Sequence, residues 1–342
     1  MAESKNRQIT LASRPVGEPK DENFKLSESS SPQPGKDEVL LRTIYLSLDP
    51  YMRGRMSATK SYAEPVAIDG VMEGGTISEV LQSNYSGLSQ GDIVLGYTGW
   101  QSLAVAQGAS LTKIDRNLGP ISTALGVLGM PGMTAYTGLL NIGEPKAGET
   151  VVVAAASGAV GAIVGQIAKI KGCTVIGIAG GKRKCDYVVK ELGFDQCLDH
   201  KDENLASLLA KACPKGIDVY FENVGGAVFE AVFPLLNPFA RIPVCGLISG
   251  YNETALSNSA IPLPLLMRAV LTKRLTFRGF IVSDFGSQRV EFLQAVSAWI
   301  KEGKIKYLED IVEGLENAPR AFQGLLKGEN FGKLIVKVGE ES

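Results

Sequence analysis

Histidine is almost missing from this chain: the 342 residues hold one, His200. A Ser-His-Asp arrangement needs its histidine beside a nucleophile, and no nucleophile elbow of the strand–GxSxG–helix type is present to supply one. A zinc site built on several histidines is excluded. Cysteine is also scarce. The five, Cys173, Cys185, Cys197, Cys213 and Cys245, are odd in number and widely spaced, with no CxxC clip, so neither a disulfide framework nor a cysteine metal site is expected. No cysteine precedes residue 173. An excess of one charge is missing too, because 35 basic side chains nearly balance 36 acidic ones, which does not favour a nucleic-acid or membrane-surface partner. The longest apolar stretch, "VVVAAASGAVGAIVG" at 151–165, is short of the ~20 residues a membrane-spanning helix needs. The opening "MAESKNRQ" has no apolar signal core and no Arg-rich presequence. A reduced, cytoplasmic setting is the expectation.

What is present is enough for two domains. "RQITLAS", "EVLLRTIYLSLD", "GGTISEVLQS", "GDIVLGYTGWQSLAVAQ" and "SLTKID" are rich in β-branched and aromatic residues and punctuated by Gly, Pro, Asn and Asp. They predict short strands in a compact, partly open barrel, with a loop at 27–38. Near residue 120 the texture changes. "ISTALGVLGMPGMTAYTGLLNIG" reads as largely helical with a break at Met130-Pro131-Gly132. From 151, strands "TVVVAA", "TVIGIA", "IDVYFENV" and "ARIPVCGLIS" alternate with helices at 158–171, 183–192, 202–212 and 226–236. Apolar strands separated by helices predict a doubly wound parallel sheet. A helix near 285–302 follows, and the tail is expected to pack back on the first domain.

The turn Ala156-Ser157-Gly158-Ala159-Val160-Gly161 joins the first of these strands to a helix. Gly158 would let the backbone approach a pyrophosphate, Gly161 would let the helix lie close on the strand, and the helix start offers N–H groups to an anion. Tight packing without a ligand is the plainer alternative. The second strand ends in "AGGKRK", where an acidic residue would read a free ribose 2′-hydroxyl. Lys182, Arg183 and Lys184 stand there instead. Cations at a helix start oppose its dipole, so either they are a solvated helix end or they await the 2′-phosphate of NADP(H). The second reading predicts a strong preference for NADPH over NADH.

Together "LSLDPYMRGRM", "GMPGMTAYTGL", "ASGAVGAIVGQIAKIKGC", "FENVGG", "CGLISGYN", "GFIVSDF" and "NFGKLIVKV" resemble the zinc-independent medium-chain dehydrogenase/reductases. Within them the likeness is to the NADPH-dependent 2-alkenal, prostaglandin and curcumin reductases, from about residue 7 to 338. The resemblance implies an α/β fold: a GroES-like partly open β-barrel domain at 1–125, completed by 306–342, and a Rossmann NADP-binding domain at 126–305. It implies cofactor contacts from Gly158, Ala159, Val160 and Gly161, from Lys184, and from Asn223. The backbones of Cys245, Gly246, Leu247, Ile248, Ser249, Gly250 and Tyr251, and of Phe280, Ile281 and Val282, would line the nicotinamide side. Asn330 would reach the cofactor from the tail. His200 stands where relatives often carry a tyrosine on the 2′-phosphate, and either takes that role or is an exposed loop residue. Where zinc alcohol dehydrogenases carry Gly-His-Glu, this chain has "VMEGG", with Glu73 and no histidine.

The implied reaction is reduction of the C=C bond of an α,β-unsaturated aldehyde or ketone, with hydride to the β-carbon and no metal. Tyr251 would polarise the carbonyl, and Tyr51 would support it or deliver the α-proton through water. Each tyrosine has the alternative of a core residue whose hydroxyl meets backbone. Arg53 and Arg55 could meet an acidic substrate tail or form ion pairs. Met130, Met133 and Tyr136 could shape a pocket or be plain core. A quinone reductase of the same superfamily, or a homologue that binds cofactor without catalysis, is the alternative function. A homodimer through sheet edges of the Rossmann domain is also implied.

Overall fold

A computed structural model describes residues 5–255 and 261–341. The chain divides into two compact units, Met1–Leu125 with Glu309–Ser342, and Gly126–Leu308.

In the first unit, β1 (Asn6–Leu11) pairs antiparallel with β2 (Phe24–Ser29). β3 (Glu38–Ser47) is the longest strand and pairs with β4 (Thr76–Ser83) and β6 (Leu103–Gln107); β5 (Ile93–Gly96) and β7 (Thr112–Lys113) extend the sheet beyond β4. A single turn of helix, α1 (Met52–Arg55), follows β3. Two points differ from the sequence reading. The loop expected from 27 starts later, because Ser27–Ser29 pair with β1. "GDIVLGYTGWQSLAVAQ" splits into β5 and β6, because Gly99 turns the chain at a φ of 80°.

The second unit begins with α2 (Met130–Gly138). The break expected at Met130-Pro131-Gly132 is instead the helix start: Pro131 lies in the first turn, where its missing N–H leaves nothing unpaired. Alternation follows: β8 (Thr150–Ala154), α3 (Gly161–Ile170), β9 (Thr174–Ala179), α4 (Lys182–Lys190), β10 (Gln196–Asp199), α5 (Leu205–Ala212), β11 (Ile217–Phe221), α6 (Gly226–Val232), β12 (Leu236–Val244), α7 (Leu263–Lys273), β13 (Thr276–Gly279) and α8 (Arg289–Lys301). All six strands are parallel, in the order β10-β9-β8-β11-β12-β13. The order reverses between β8 and β11, and the crevice at their carboxyl ends is where such sheets bind ligands. β8 is buried along its whole length, as a strand covered on both faces must be. The sequence assigned no element to α7.

The chain then returns to the first unit. β14 (Glu309–Glu313) and β15 (Lys333–Lys337), with α9 (Ala318–Leu326) between them, add to that sheet through β15 and β3, giving the path β14-β15-β3-β4-β5-β7 with two open ends. Alternation on β15 serves two cores: Leu334 and Val336 join Leu46, Met52, Trp100 and Phe322, while Ile335 joins Ile44, Ile77 and Ile93. Among the described residues no helix is long and apolar enough to cross a membrane.

Candidate cofactor site and hydroxyl donors

The first feature of the site is the turn after β8. Ala155 takes a left-handed φ of 51°, its carbonyl accepts from Gly158 N at 2.9 Å, and Gly158 O accepts from Ala162 N at 3.0 Å to open α3. Gly161 is pressed against this turn: a Cβ there would lie 2.3 Å from Ala155 O. Among the described residues none accepts from the backbone N–H groups of Ala159, Val160 or Gly161. Three donors at the start of a ten-residue helix form a cradle suited to phosphate oxygens.

The second feature lies at the ends of β9 and β10. Asp199 Oδ1 accepts from Gly181 N at 2.9 Å and Lys201 N at 3.0 Å, holding the turn. Burial works to raise that carboxyl, but the two backbone bonds outweigh it and hold it below the usual range. His200 N donates to Ala179 O at 2.9 Å, and its Nε2 would lie 3.0 Å from a Cβ placed on Gly180. Burial lowers the imidazole pKa; Lys201 and Lys184 lower it further, against the pull of Asp199. His200 and Lys184 are therefore electrostatic neighbours beside Gly180. Of the three cations, Lys182 is paired with Asp186 at 2.7 Å, one turn along α4.

The third feature is the carboxyl end of β11 and β12. Asn223 Nδ2 donates to Ala154 O at 2.8 Å and so joins this end to the phosphate turn. Ile248 N donates to Asn223 O at 3.3 Å, and Ser249 reaches Val224 O with both N (3.0 Å) and Oγ (2.6 Å). These bonds join the 223–225 turn to the Cys245–Tyr251 loop. Burial first, then the Glu222 charge, pushes the Cys245 thiol up to about 12, which favours the protonated thiol. Tyr251 folds back over the loop, its oxygen accepting from Leu247 N at 3.4 Å. Phe280 packs edge-on to Phe221 and Phe285, with centroids at 6.4 and 6.1 Å, and Ile281 N donates to Asp284 Oδ2 at 3.2 Å ahead of Val282.

Tyr51 and Asn330 belong to the first unit. Tyr51 precedes α1; burial first, then the charge of Asp49, pushes its hydroxyl well above the usual range, so it remains a neutral donor. Asn330 Nδ2 donates to Gly332 O at 2.8 Å. Arg55 Nε pairs with Glu73 Oε2 at 3.3 Å, and Arg53 Nη2 donates to Gly17 O at 2.9 Å; both arginines serve the fold. Tyr136 donates to Glu291 Oε1 at 2.9 Å and packs on Phe292 and Trp299, which makes it core. The sequence reading passed over Glu222. The only linear signal is an acid at the end of an apolar strand.

Two family profiles match: "N-terminal domain of oxidoreductase" over residues 7–114 and "Zinc-binding dehydrogenase" over residues 159–301. The chain is also 58% identical over 335 residues to the NADPH-dependent curcumin reductase of Escherichia coli (strain K12), covering 98% of this chain and 97% of that protein. The chain is a medium-chain dehydrogenase/reductase. A further relative of this dehydrogenase/reductase is the 2-alkenal reductase (NADP(+)-dependent) of Nicotiana tabacum, 40% identical over 347 residues and covering 99% of each chain. Among solved structures, CurA from Vibrio vulnificus in complex with NADPH has a TM-score of 0.94 and 56% identity, covering 98% of this chain and 99% of that one. Although one profile carries zinc in its description, among the described residues of this dehydrogenase/reductase no group of three or more His, Cys, Asp or Glu is placed to hold a metal ion.

Proposed function

We propose that the chain reduces the C=C bond of α,β-unsaturated aldehydes and ketones at the expense of NADPH. It is an NADPH-dependent reductase of the medium-chain dehydrogenase/reductases; the enal or enone substrate and the tyrosine mechanism are our reading. The observation that carries it is the end of β9, where two glycines, Lys184 and His200 occupy the place of a ribose-reading acid. The residues present fit a 2′-phosphorylated dinucleotide. The N–H groups of Ala159, Val160 and Gly161 would meet the pyrophosphate, and Lys184 and His200 the 2′-phosphate. Asn223, the Cys245–Tyr251 and Phe280–Val282 backbones, and Asn330 would hold the remainder.

When bound, NADPH supplies a hydride. The chain's own part is to stabilise the charge that then spreads into the substrate enolate. In this reading the Tyr251 hydroxyl donates to the carbonyl oxygen. Tyr51, kept neutral by burial, supports it or delivers the α-proton through water. A well-placed oxyanion donor is worth about 3–4 kcal/mol. Absorbance at 340 nm with 2-alkenals, enones and menadione tests the substrate class: enal turnover should exceed menadione turnover. Tyr251→Phe should lower kcat about 100-fold and Tyr51→Phe less. Near-full activity in both folded variants would end the mechanism.

The expected second copy of this chain has a candidate seat. β13 is an edge strand with every residue exposed, and Leu263, Met267 and Leu271 of α7 are more than half exposed beside it in sequence. An uncovered apolar edge is a liability that pairing removes. The five free cysteines suit a reducing compartment such as the cytosol.

A further inference from the structure

Glu222 lies just past β11 and is 3% exposed. A carboxylate there is costly unless its oxygens are satisfied. Its Oε1 accepts from Tyr220 Oη at 2.9 Å and from Val224 N and Gly225 N at 2.8 Å each. The backbone of the same residue ties down the neighbouring strand: Glu222 N donates to Pro243 O at 3.0 Å, and Glu222 O accepts from Cys245 N at 2.9 Å and Gly246 N at 3.1 Å. One residue thus grips both segments that flank the nicotinamide side, the 223–226 turn by its side chain and the start of the 245–251 loop by its carbonyl.

The turn needs that grip. Gly225 and Gly226 both have positive φ, 76° and 53°, and a Cβ on Gly226 would stand 3.1 Å from Ser249 Oγ. Two such residues in a row are the most freely rotating backbone in the vicinity, and the carboxylate selects one conformation by fixing the N–H groups of Val224 and Gly225. Val224 O, so oriented, receives both bonds from Ser249. Ser249 is two residues from Tyr251.

We propose that Glu222 is a positioning residue for the reduction: its carboxylate sets the 223–226 turn, and through Val224 and Ser249 the loop that presents Tyr251. This rests on the assignment of Tyr251 to the substrate carbonyl. The proposal turns on reach: Gln keeps the length and an acceptor oxygen, whereas Asp keeps the charge but is one methylene short of the two N–H groups. A role limited to local charge would rank Asp above Gln.

The test uses the full chain with Glu222→Gln, Glu222→Asp, Glu222→Ala, Tyr251→Phe and the Glu222→Asp/Tyr251→Phe double variant. Expected are kcat values for a 2-alkenal within about threefold of the parent for Gln, and at least about tenfold lower for Asp and Ala. The NADPH dissociation constant should move by less than about threefold, and the double variant should be no worse than Tyr251→Phe alone. Without cofactor, amide hydrogen exchange should quicken across 246–251 in the Asp variant and stay unchanged in β8. Full kcat in the Asp variant, equal loss in Gln and Asp, or losses that multiply would overturn the proposal. If Glu222→Ala does not fold, the Gln and Asp pair decides. If Tyr251→Phe keeps full kcat, the carbonyl assignment fails by itself. The exchange experiment then judges Glu222: faster exchange sustains its hold on the loop, unchanged exchange ends it.

Discussion

In the proposed cofactor site, Lys184 and His200 would divide the work of recognising a phosphate in a way their surroundings fix. Lys184 brings a permanent cation. His200 is held below the ordinary imidazole pKa, first by burial and then by the charges of Lys201 and Lys184, so it is largely neutral at pH 7.5 and becomes charged only as the pH falls through the range below 6.5. Calorimetry should show Lys184→Ala weakening NADPH about 10- to 100-fold while leaving NADH within about twofold, the loss of a charged hydrogen bond. In the same series, the preference of the parent for NADPH over NADH should hold up better than that of His200→Asn as the pH is lowered from about 8 to about 6. The variant reports only the titration of the phosphate itself, near 6. Equal affinity of the Lys184→Ala and parent proteins for NADPH would remove the basis of the cofactor assignment.

At the scale of elements, β15 is tied to the corner that leads to Tyr51. Lys333 Nζ donates to Leu48 O at 2.8 Å, Asp49 Oδ1 at 3.0 Å and Leu334 O at 3.0 Å, with both charged side chains under a tenth exposed. Burial lowers the lysine pKa, and the Asp49 charge opposes that. Ser47 Oγ donates to the other oxygen of Asp49, so the carboxylate is satisfied from two strands. Breaking a buried pair leaves one charge stranded, and urea unfolding should show Lys333→Ala destabilised by about 3–5 kcal/mol. Lys333→Met with Asp49→Leu should lose less, because no charge is left behind. Elements of this kind show what the sequence could and could not tell. The β8–α3–β9 alternation, the close approach at Gly161 and the cations of α4 follow from residues near each other in the chain, and they were legible. The start of α2 was misread because a proline marks a helix entry as readily as a break. α7 was missed because its polar face is short, Arg268 and Thr272 alone interrupting the apolar run before Lys273. Lys333 was silent because Leu48 and Asp49 reach it only after folding, and Glu222 because its neighbours Tyr220, Val224 and Gly225 turn toward its carboxylate only in the folded backbone.

For the whole molecule, edge strand β13 and the exposed apolar side chains of α7 are the surface on which the proposed association would rest. Leu271 is 76% and Phe277 36% exposed. If two copies pair through this edge, Leu271→Glu with Phe277→Arg should convert a sedimenting dimer to monomer without loss of secondary structure. A parent chain already monomeric at micromolar concentration would refute it. The other sheet has a different history. Its β3 meets β15 only after the entire Rossmann unit has been threaded through between them. During synthesis the opening 125 residues emerge with the carboxyl end of their longest strand, Tyr45–Ser47, bare on one flank, while the Rossmann unit can complete its sheet on the ribosome. The first half to be translated is thus the last to close, and in that interval it is the part with most to gain from a chaperone.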